Sequence, residues 1–188
     1  SGKTEVYLHI MSKILEKDPE SQILLLVPEI NLTPQLEARV RGHFPRDRVV
    51  TLNSELSPAE RARAWLAIHE ARARILVGTR MAVFASFRHL SLIIVDEEHD
   101  LSYKAGDGSR YSARDLAVKR AHDLRIPVVL GSATPSLESW AQARRGRYRL
   151  LELSCRAVPT ASLPRLEFVD PGRKHEELIG QSIQDEIS

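Results

Sequence analysis

Four residues at the start of the chain, Ser1-Gly2-Lys3-Thr4, have the types and order needed to hold a phosphate group. They match the tail of the loop G-x-x-x-x-G-K-S/T, whose backbone amides surround phosphates where a helix begins. Gly2 would let the main chain approach the phosphates, Lys3 would pair with β and γ oxygens, and the Thr4 hydroxyl would ligate Mg²⁺. So short a pattern also occurs by chance, which leaves a plain helix start open.

A cluster of carboxylates directly follows the apolar run Leu92-Ile93-Ile94-Val95. Because such a run indicates a buried strand, Asp96-Glu97-Glu98-His99 would lie at its carboxyl end, where open α/β sheets bind ligands. Asp96 would hold Mg²⁺ through the water shell of the metal, and Glu97 would orient and deprotonate a water that attacks a phosphate. The alternative, an exposed acidic turn, does not explain why phosphate-loop residues occur in the same chain.

A third segment, Gly131-Ser132-Ala133-Thr134-Pro135-Ser136, follows the apolar run 128–130. The hydroxyls of Ser132 and Thr134 could bond both a carboxylate of the acidic cluster and a neighbouring element. Taken alone, the segment is equally well explained as a helix N-cap with a proline. Three such segments in this order, on alternating elements, indicate a phosphoryl-transfer site more strongly than any one of them.

Alternating strands and helices must position these segments. Continuous apolar runs, typical of strands buried on both faces of a parallel sheet, predict strands at 22–27, 49–52, 75–77, 92–95 and 128–130. Helical spacing and capping residues predict helices at about 3–18, 33–42, 58–71, 115–124 and 137–144. We therefore predict an α/β domain whose parallel sheet has helices on both faces.

Composition places the chain among ordinary globular proteins. Of its 188 residues 43% are hydrophobic and 28% charged, and no apolar run reaches the about 18 residues of a membrane span. Lys and Arg (27) exceed Asp and Glu (25) by only 2, so any contact with nucleic acid must be local. We expect a cytoplasmic, monomeric protein without membrane contact.

The end of the chain is organised differently. We predict one domain at 1–154 and a connector at 155–188, where Pro159, Pro164 and Pro171 interrupt the pattern. Cys155 is the only cysteine, which excludes an internal disulfide and a cysteine-built zinc site. The chain begins inside the phosphate-loop motif and stops inside a predicted helix, which favours a piece of a longer protein.

Five segments in order resemble the motifs I, Ia, Ib, II and III of superfamily 2 helicases: Gly2-Lys3-Thr4, 26–35, Gly78-Thr79-Arg80, 96–100 and 131–136. The string from Asp96 to Ala117 is similar to the replication-restart helicases in particular. The resemblance covers residues 1–172. It implies the first RecA-like P-loop lobe of a 3′-to-5′ DNA helicase that uses ATP and Mg²⁺ and reopens stalled forks.

The same resemblance implies partners and a location. The partners are forked and single-stranded DNA, primosome proteins and single-strand-binding proteins. Zinc would belong only to regions of the parent outside this chain. The location would be the bacterial cytoplasm, in association with the nucleoid.

Matched by position, the resemblance implies motif roles for six of the residues already singled out: Lys3, Thr4, Asp96, Glu97, Ser132 and Thr134. His99 would link the nucleotide site to motif III through a hydrogen bond. Arg80 matches motif Ib, which touches the DNA backbone, although a plain surface arginine is the alternative.

A segment after motif II resembles an aromatic-rich loop that senses single-stranded DNA in replication-restart and RecQ-like helicases. Its matching residues are Tyr103, Lys104, Arg110 and Tyr111. Tyrosines can stack on bases, while Lys and Arg neutralise phosphate charge. An idle surface loop is the alternative.

Several functions stay open at this point: the motor lobe just described, lobe 1 of another superfamily 2 helicase, a nucleotide or DNA binding module without turnover, and another P-loop enzyme such as a nucleotide kinase. The acidic cluster together with Ser132-Ala133-Thr134 favours a helicase over a kinase. Because a complete phosphate cradle and an arginine from a second lobe are needed for fast phosphoryl transfer, we expect the chain by itself to be nearly inactive.

Overall fold

A parallel sheet lies at the centre of the computed structural model, which describes residues 2–45, 48–106 and 110–153. Its strands are β1 (Gln22–Leu26), β2 (Val49–Leu52), β3 (Ile75–Gly78), β4 (Leu90–Val95) and β5 (Val128–Leu130). They pair in parallel in the order β2-β3-β1-β4-β5. The predicted strands are confirmed, each to within two residues at either end.

The described residues contain five α-helices: α1 (Lys3–Lys17), α2 (Pro34–His43), α3 (Pro58–His69), α4 (Ala113–Leu124) and α5 (Leu137–Arg144). Helices α2, α3 and α4 lie between strands, while α1 precedes β1 and α5 follows β5. Side-chain caps explain the starts of α2 to α5, and Ser57 and Glu60 form the predicted capping box of α3. The prediction for α4 was two residues too short, because the Ser112 side chain accepts from the Asp115 amide and caps the helix earlier. The predicted end of α3 was too late, since Ala71 has a φ of 56°.

The inner strands β1, β3 and β4 are almost fully buried on both faces, as their continuous apolar runs predict, whereas the edge strand β5 is half-buried. Side chains alternate along each strand, so Leu24 and Ile93 belong to one apolar cluster and Ile23 and Leu92 to the other. The first cluster is completed by α3 and α4, the second by α1 and α2. The predicted α/β architecture with helices on both faces is confirmed.

All segments that follow a strand lie at one edge of the sheet, because the strands are parallel. The loops after β1, β3, β4 and β5 carry four of the five sequence motifs to this carboxyl edge. Helix α1 begins at the same edge, since Lys3 at its start contacts Glu97 after β4. The topology therefore assembles the segments that the sequence singled out.

The described residues belong to one compact unit, Ser1–Ser154. The predicted connector 155–188 lies outside the described residues, so the boundary at 154 stays a prediction. Within the part of the chain that the structure describes, no helix is both long and apolar enough to span a membrane.

Candidate active site

Lys3 and Glu97 meet at the carboxyl edge of the sheet. Lys3 is the first residue of α1, and its Nζ donates to Glu97 Oε1 at 2.6 Å. The side chains are 12% and 25% exposed, so the pair is shielded yet open to solvent. Glu97 has a φ of 45°, a left-handed conformation that is unfavourable for a residue with a Cβ atom and that occurs disproportionately at functional sites.

Asp96 is held by two tyrosine hydroxyls. Tyr7 on α1 donates to Asp96 Oδ1 at 2.9 Å, and Tyr103 donates to the Asp96 main-chain carbonyl at 2.7 Å. Burial, and then the nearby charge of Asp96, raises the pKa of Tyr7 and of Tyr103 well above the usual tyrosine range. Both hydroxyls therefore remain donors: Tyr7 orients the Asp96 carboxylate, and Tyr103 holds the Asp96 main chain.

His99 joins the acidic cluster to the segment after β5. Its Nδ1 lies 2.7 Å from Ser132 Oγ and 3.6 Å from Glu97 Oε2, and its Nε2 lies 3.4 Å from Thr134 Oγ1. The Thr134 amide in turn donates to Ser132 Oγ at 2.9 Å. The predicted hydrogen bond between His99 and the third segment is confirmed, while its role in coupling stays a prediction.

The prediction that Tyr103 stacks on bases is wrong. Tyr103 is 1% exposed and packs in the apolar cluster against the alanines of α4. Its hydroxyl donates to the Asp96 carbonyl, and a base could reach the buried ring only after local unfolding. Tyr103 is therefore a core residue whose hydroxyl bonds the main chain of the acidic cluster.

The other residues of the predicted DNA loop are differently placed. Lys104 and Arg110 are exposed, as phosphate contacts would require. Tyr111 is half-buried, with its ring edge-to-face against Phe84 at 5.1 Å and its hydroxyl on Met81 Sδ at 3.2 Å. Of the two tyrosines, only Tyr111 is partly open to a ligand.

Arg80, matched to the backbone-contacting motif, supports the same loop. Its Nη1 donates to the Lys104 carbonyl at 3.0 Å. Its Nε is buried and has no hydrogen-bond partner among the residues that the structure describes. The guanidinium is half-buried, so the structure leaves its contact with DNA a prediction.

Glu98 anchors a buried network that the sequence did not predict. Its carboxylate is 2% exposed and accepts from the Ser136 amide at 2.7 Å, the Ser136 hydroxyl at 3.0 Å and the Ser139 hydroxyl at 2.8 Å. Arg114 Nη1 donates to the same carboxylate at 3.2 Å. The partners come from distant parts of the sequence, so no local spacing could have indicated this network.

Replacing Glu98 with glutamine should make the free energy of unfolding depend less steeply on pH in acid. Burial raises the pKa of Glu98, but the hydrogen bonds from Ser136, Ser139 and Arg114 outweigh it and hold the pKa below its ordinary value. A carboxyl with a lowered pKa stabilises the fold above its unfolded pKa, about 4.3, and loses that contribution as pH falls toward the folded value.

We therefore expect the free energy of unfolding of the wild type to fall more steeply below about pH 4.3 than that of Glu98→Gln. Denaturant unfolding between about pH 5 and pH 3 measures both slopes. The other carboxyls are common to both proteins and cancel in the difference. Equal slopes would contradict the hydrogen-bond network around Glu98.

The residues at this edge fit a magnesium nucleotide. Lys3 supplies a cation beside the uncapped amides of the α1 N-terminus, and Thr4 and Asp96 supply oxygen ligands of the kind Mg²⁺ prefers. Among the described residues no group of three or more His, Cys, Asp or Glu could hold a metal alone. Mg²⁺ keeps several waters and binds substrate phosphates, so one or two oxygen ligands from the protein are enough to hold it.

The DEAD/DEAH box helicase family matches residues 1–143, and the chain belongs to this family. It is 47% identical over 170 residues to the replication restart protein PriA of Bacillus subtilis, covering 90% of this chain and 21% of that protein. It is 45% identical over 188 residues to PriA of Haemophilus influenzae, covering 100% of this chain and 24% of that protein. The resemblance to replication-restart helicases is confirmed, and the chain spans about a quarter of the length of these relatives.

The fold agrees with solved helicase domains. The C-terminal domain of S. cerevisiae Dbp5, in a complex with Gle1 and IP6, superimposes with a TM-score of 0.55 at 14% identity, covering 78% of this chain and 82% of that one. At this identity the match shows the fold alone. It confirms the predicted RecA-like α/β class.

Proposed function

We propose that this chain is the first motor lobe of an ATP-dependent, 3′-to-5′ DNA helicase that acts in replication restart. The observation that carries the proposal is the pair of Lys3, at the start of α1, with Glu97, directly after β4. Family membership and the PriA relatives support the helicase class and the replication-restart context. We use the term full-length protein for the one in which this lobe is joined to the remaining length seen in those relatives.

Lys3, Thr4 and Asp96 would hold ATP and Mg²⁺, which supply the phosphoryl group to be transferred. Glu97 would accept a proton from the attacking water. In the structure its Oε1 is engaged by Lys3, so this carboxylate becomes a free base only when Lys3 pairs with a phosphate instead. The lobe thereby couples the arrival of phosphate to the release of its base.

His99 would transmit the release of Glu97 from Lys3 to the segment after β5. It contacts both Glu97 and Ser132, so a shift of the Glu97 carboxylate alters the contacts of a side chain that also holds the third motif. Because a single imidazole bridges the two loops, a movement of one would be passed to the other. This is the route by which hydrolysis at motif II would reach the rest of the motor.

The nucleic-acid contact would use Lys104 and Arg110, with Arg80 and Tyr111 beside them. Both cations are exposed at the same edge as the nucleotide residues. We propose single-stranded and forked DNA as the ligand, primosome and single-strand-binding proteins as partners, and a monomer in the bacterial cytoplasm at the nucleoid. The PriA relatives support this assignment.

Removing the two exposed cations should reduce the salt dependence of DNA binding. Each phosphate contact on a single strand contributes about 0.7 to the slope of log K against log salt, so Lys104→Ala with Arg110→Ala should lower that slope by about 1.4. The measurement is the affinity of the full-length protein for a fluorescent oligonucleotide at several salt concentrations. Lys13→Ala with Lys17→Ala, the same charge change on the exposed face of α1, is the matched control. Equal slopes for the two double variants would refute the contact.

The direction of movement is tested by unwinding. The full-length protein should separate a duplex that carries a 3′ single-stranded tail on the loading strand, in the presence of ATP and Mg²⁺. A duplex with only a 5′ tail should stay paired. Preference for the 5′ tail would overturn the proposed polarity, and strand separation without ATP would overturn the motor.

A further inference from the structure

Asp96 is fixed at three points by neighbouring elements. Its amide donates to the Leu26 carbonyl at 2.9 Å, so its main chain continues the pairing of β4 with β1. Its carbonyl accepts from the Tyr103 hydroxyl at 2.7 Å, and its Oδ1 accepts from the Tyr7 hydroxyl at 2.9 Å. The main chain and one carboxylate oxygen of Asp96 are therefore both held in place.

Tyr7 has little freedom to withdraw its hydrogen bond. The residue is 5% exposed and belongs to the apolar cluster that α1 and α2 complete. Its hydroxyl also lies close to Gly131, where a Cβ atom would be only 1.6 Å from the hydroxyl oxygen. The ring thus fills a space that a glycine leaves open, and packing directs its hydroxyl at Asp96 Oδ1.

The two carboxylate oxygens of Asp96 are consequently unequal. Within the part of the chain that the structure describes, Oδ1 accepts the Tyr7 hydroxyl, while Oδ2 has no hydrogen-bond partner. A donor on Oδ1 competes with a metal ion for that oxygen and opposes rotation of the carboxylate. Asp96 therefore offers a metal ion, or a water bound to it, one oxygen in one direction.

Mg²⁺ and Ca²⁺ differ in how they use such a carboxylate. Mg²⁺ needs near-ideal octahedral geometry and keeps several waters, so about one or two carboxylate contacts besides the phosphates suffice. Ca²⁺ takes about six to eight oxygens in flexible geometry and can bind both oxygens of one carboxylate. Few other ligands are at hand, since the described residues contain no group of three or more His, Cys, Asp or Glu that could hold a metal. A carboxylate restricted to one oxygen therefore disfavours Ca²⁺ more than Mg²⁺.

We propose that Tyr7 is a positioning residue that makes the nucleotide site selective for Mg²⁺ over Ca²⁺. The inference rests on the proposed function, because it concerns the metal ion that would bind with ATP at Thr4 and Asp96. By holding Oδ1, Tyr7 keeps Asp96 from engaging the larger ion with both oxygens. Tyr7 itself touches neither the metal ion nor the nucleotide in this scheme.

Equilibrium binding separates this role from a general effect on activity. The probe is a fluorescent ATP analogue that cannot be hydrolysed, titrated with the full-length protein at saturating Mg²⁺ or at saturating Ca²⁺. The ratio of the two dissociation constants, calcium over magnesium, measures the selectivity. Tyr103→Phe is the matched control, because it removes a similarly buried hydroxyl that bonds the Asp96 main chain and leaves the bond to the carboxylate intact.

We expect the wild type to bind the analogue more tightly with Mg²⁺ than with Ca²⁺. Tyr7→Phe should lower the ratio about fivefold, the effect of one ordinary hydrogen bond, mainly through tighter binding with Ca²⁺. Tyr103→Phe can weaken binding with both ions but should keep the wild-type ratio. Gly131→Ala, which displaces Tyr7, should lower the ratio as well, and it decides the matter if the melting temperature shows that Tyr7→Phe does not fold.

Three results would overturn the inference: no preference for Mg²⁺ in the wild type, an unchanged ratio in Tyr7→Phe, or an equal fall of the ratio in Tyr7→Phe and Tyr103→Phe. The last result would mean that any loosening of Asp96 relaxes the selectivity. If the wild type binds the analogue equally well with Mg²⁺ and without a divalent ion, or does not bind it, the proposed nucleotide site fails and not the role of Tyr7 alone.

Discussion

Glu97→Gln should lower ATP turnover by the full-length protein by about 10²- to 10⁴-fold, the usual contribution of a positioned general base. Glutamine keeps the size of the side chain but cannot accept the proton of the attacking water. It also removes the negative charge that pairs with Lys3, so the lysine is held less strongly and pairs more readily with phosphate. We therefore expect the affinity for ATP to be retained or increased.

The measurement is the steady-state hydrolysis rate at saturating ATP and DNA. Glu16→Gln, which changes an exposed carboxylate on α1 that pairs with Lys13, is the control and should keep the wild-type rate. Turnover within about tenfold of the wild type in Glu97→Gln would show that another group activates the water.

Gly131→Ala should destabilise the lobe by about 1 to 3 kcal/mol, as overpacking of a close contact does. A Cβ atom at this position would overlap the hydroxyl and the ring carbon of Tyr7 that bears it. Tyr7 would have to move, and its hydrogen bond to Asp96 Oδ1 would be lost with it. The Asp96 carboxylate, our proposed ligand of Mg²⁺, would then lose its fixed orientation, so hydrolysis should fall too.

Denaturant unfolding of a double-mutant cycle isolates this contact. Because Tyr7→Phe removes the hydroxyl that the new Cβ meets first, the double variant should be less destabilised than the sum of the single ones, by about 0.5 kcal/mol or more. Gly42→Ala in α2, whose Cβ would meet nothing within 4 Å, is the control and should be neutral or stabilising. Strict additivity would show that Gly131 and Tyr7 do not meet as described.

The elements of the fold were predictable because their signals are local. The buried strand before Asp96 is a run of apolar residues, and α3 begins at a capping box that Ser57 and Glu60 complete within four residues. Parallel strands alone predict that the segments following them lie together at the carboxyl edge of the sheet. The contact of Lys3 with Glu97 is the direct result of that topology.

The contacts that support the site were not predictable, because each depends on residues far apart in the sequence. Tyr103 follows the acidic cluster closely and has a ring suited to stacking, and nothing nearby in the sequence shows that its hydroxyl bonds the Asp96 carbonyl. Nothing in the sequence near Glu98 indicates that its carboxylate is buried in a network. Only the packing of α4 and α5 against the end of β4 brings Arg114 and Ser136 to it.

We propose that Lys3 belongs to a nucleotide site whose base is Glu97. Equilibrium binding of ATP in the presence of Mg²⁺ tests this assignment. A charged hydrogen bond contributes about 1.5 to 3 kcal/mol, so Lys3→Ala should weaken ATP binding by the full-length protein by about 10- to 150-fold. Glu97→Gln should bind ATP at least as tightly as the wild type while failing to hydrolyse it. Equal affinity in Lys3→Ala and the wild type, or equal loss in both variants, would contradict the account.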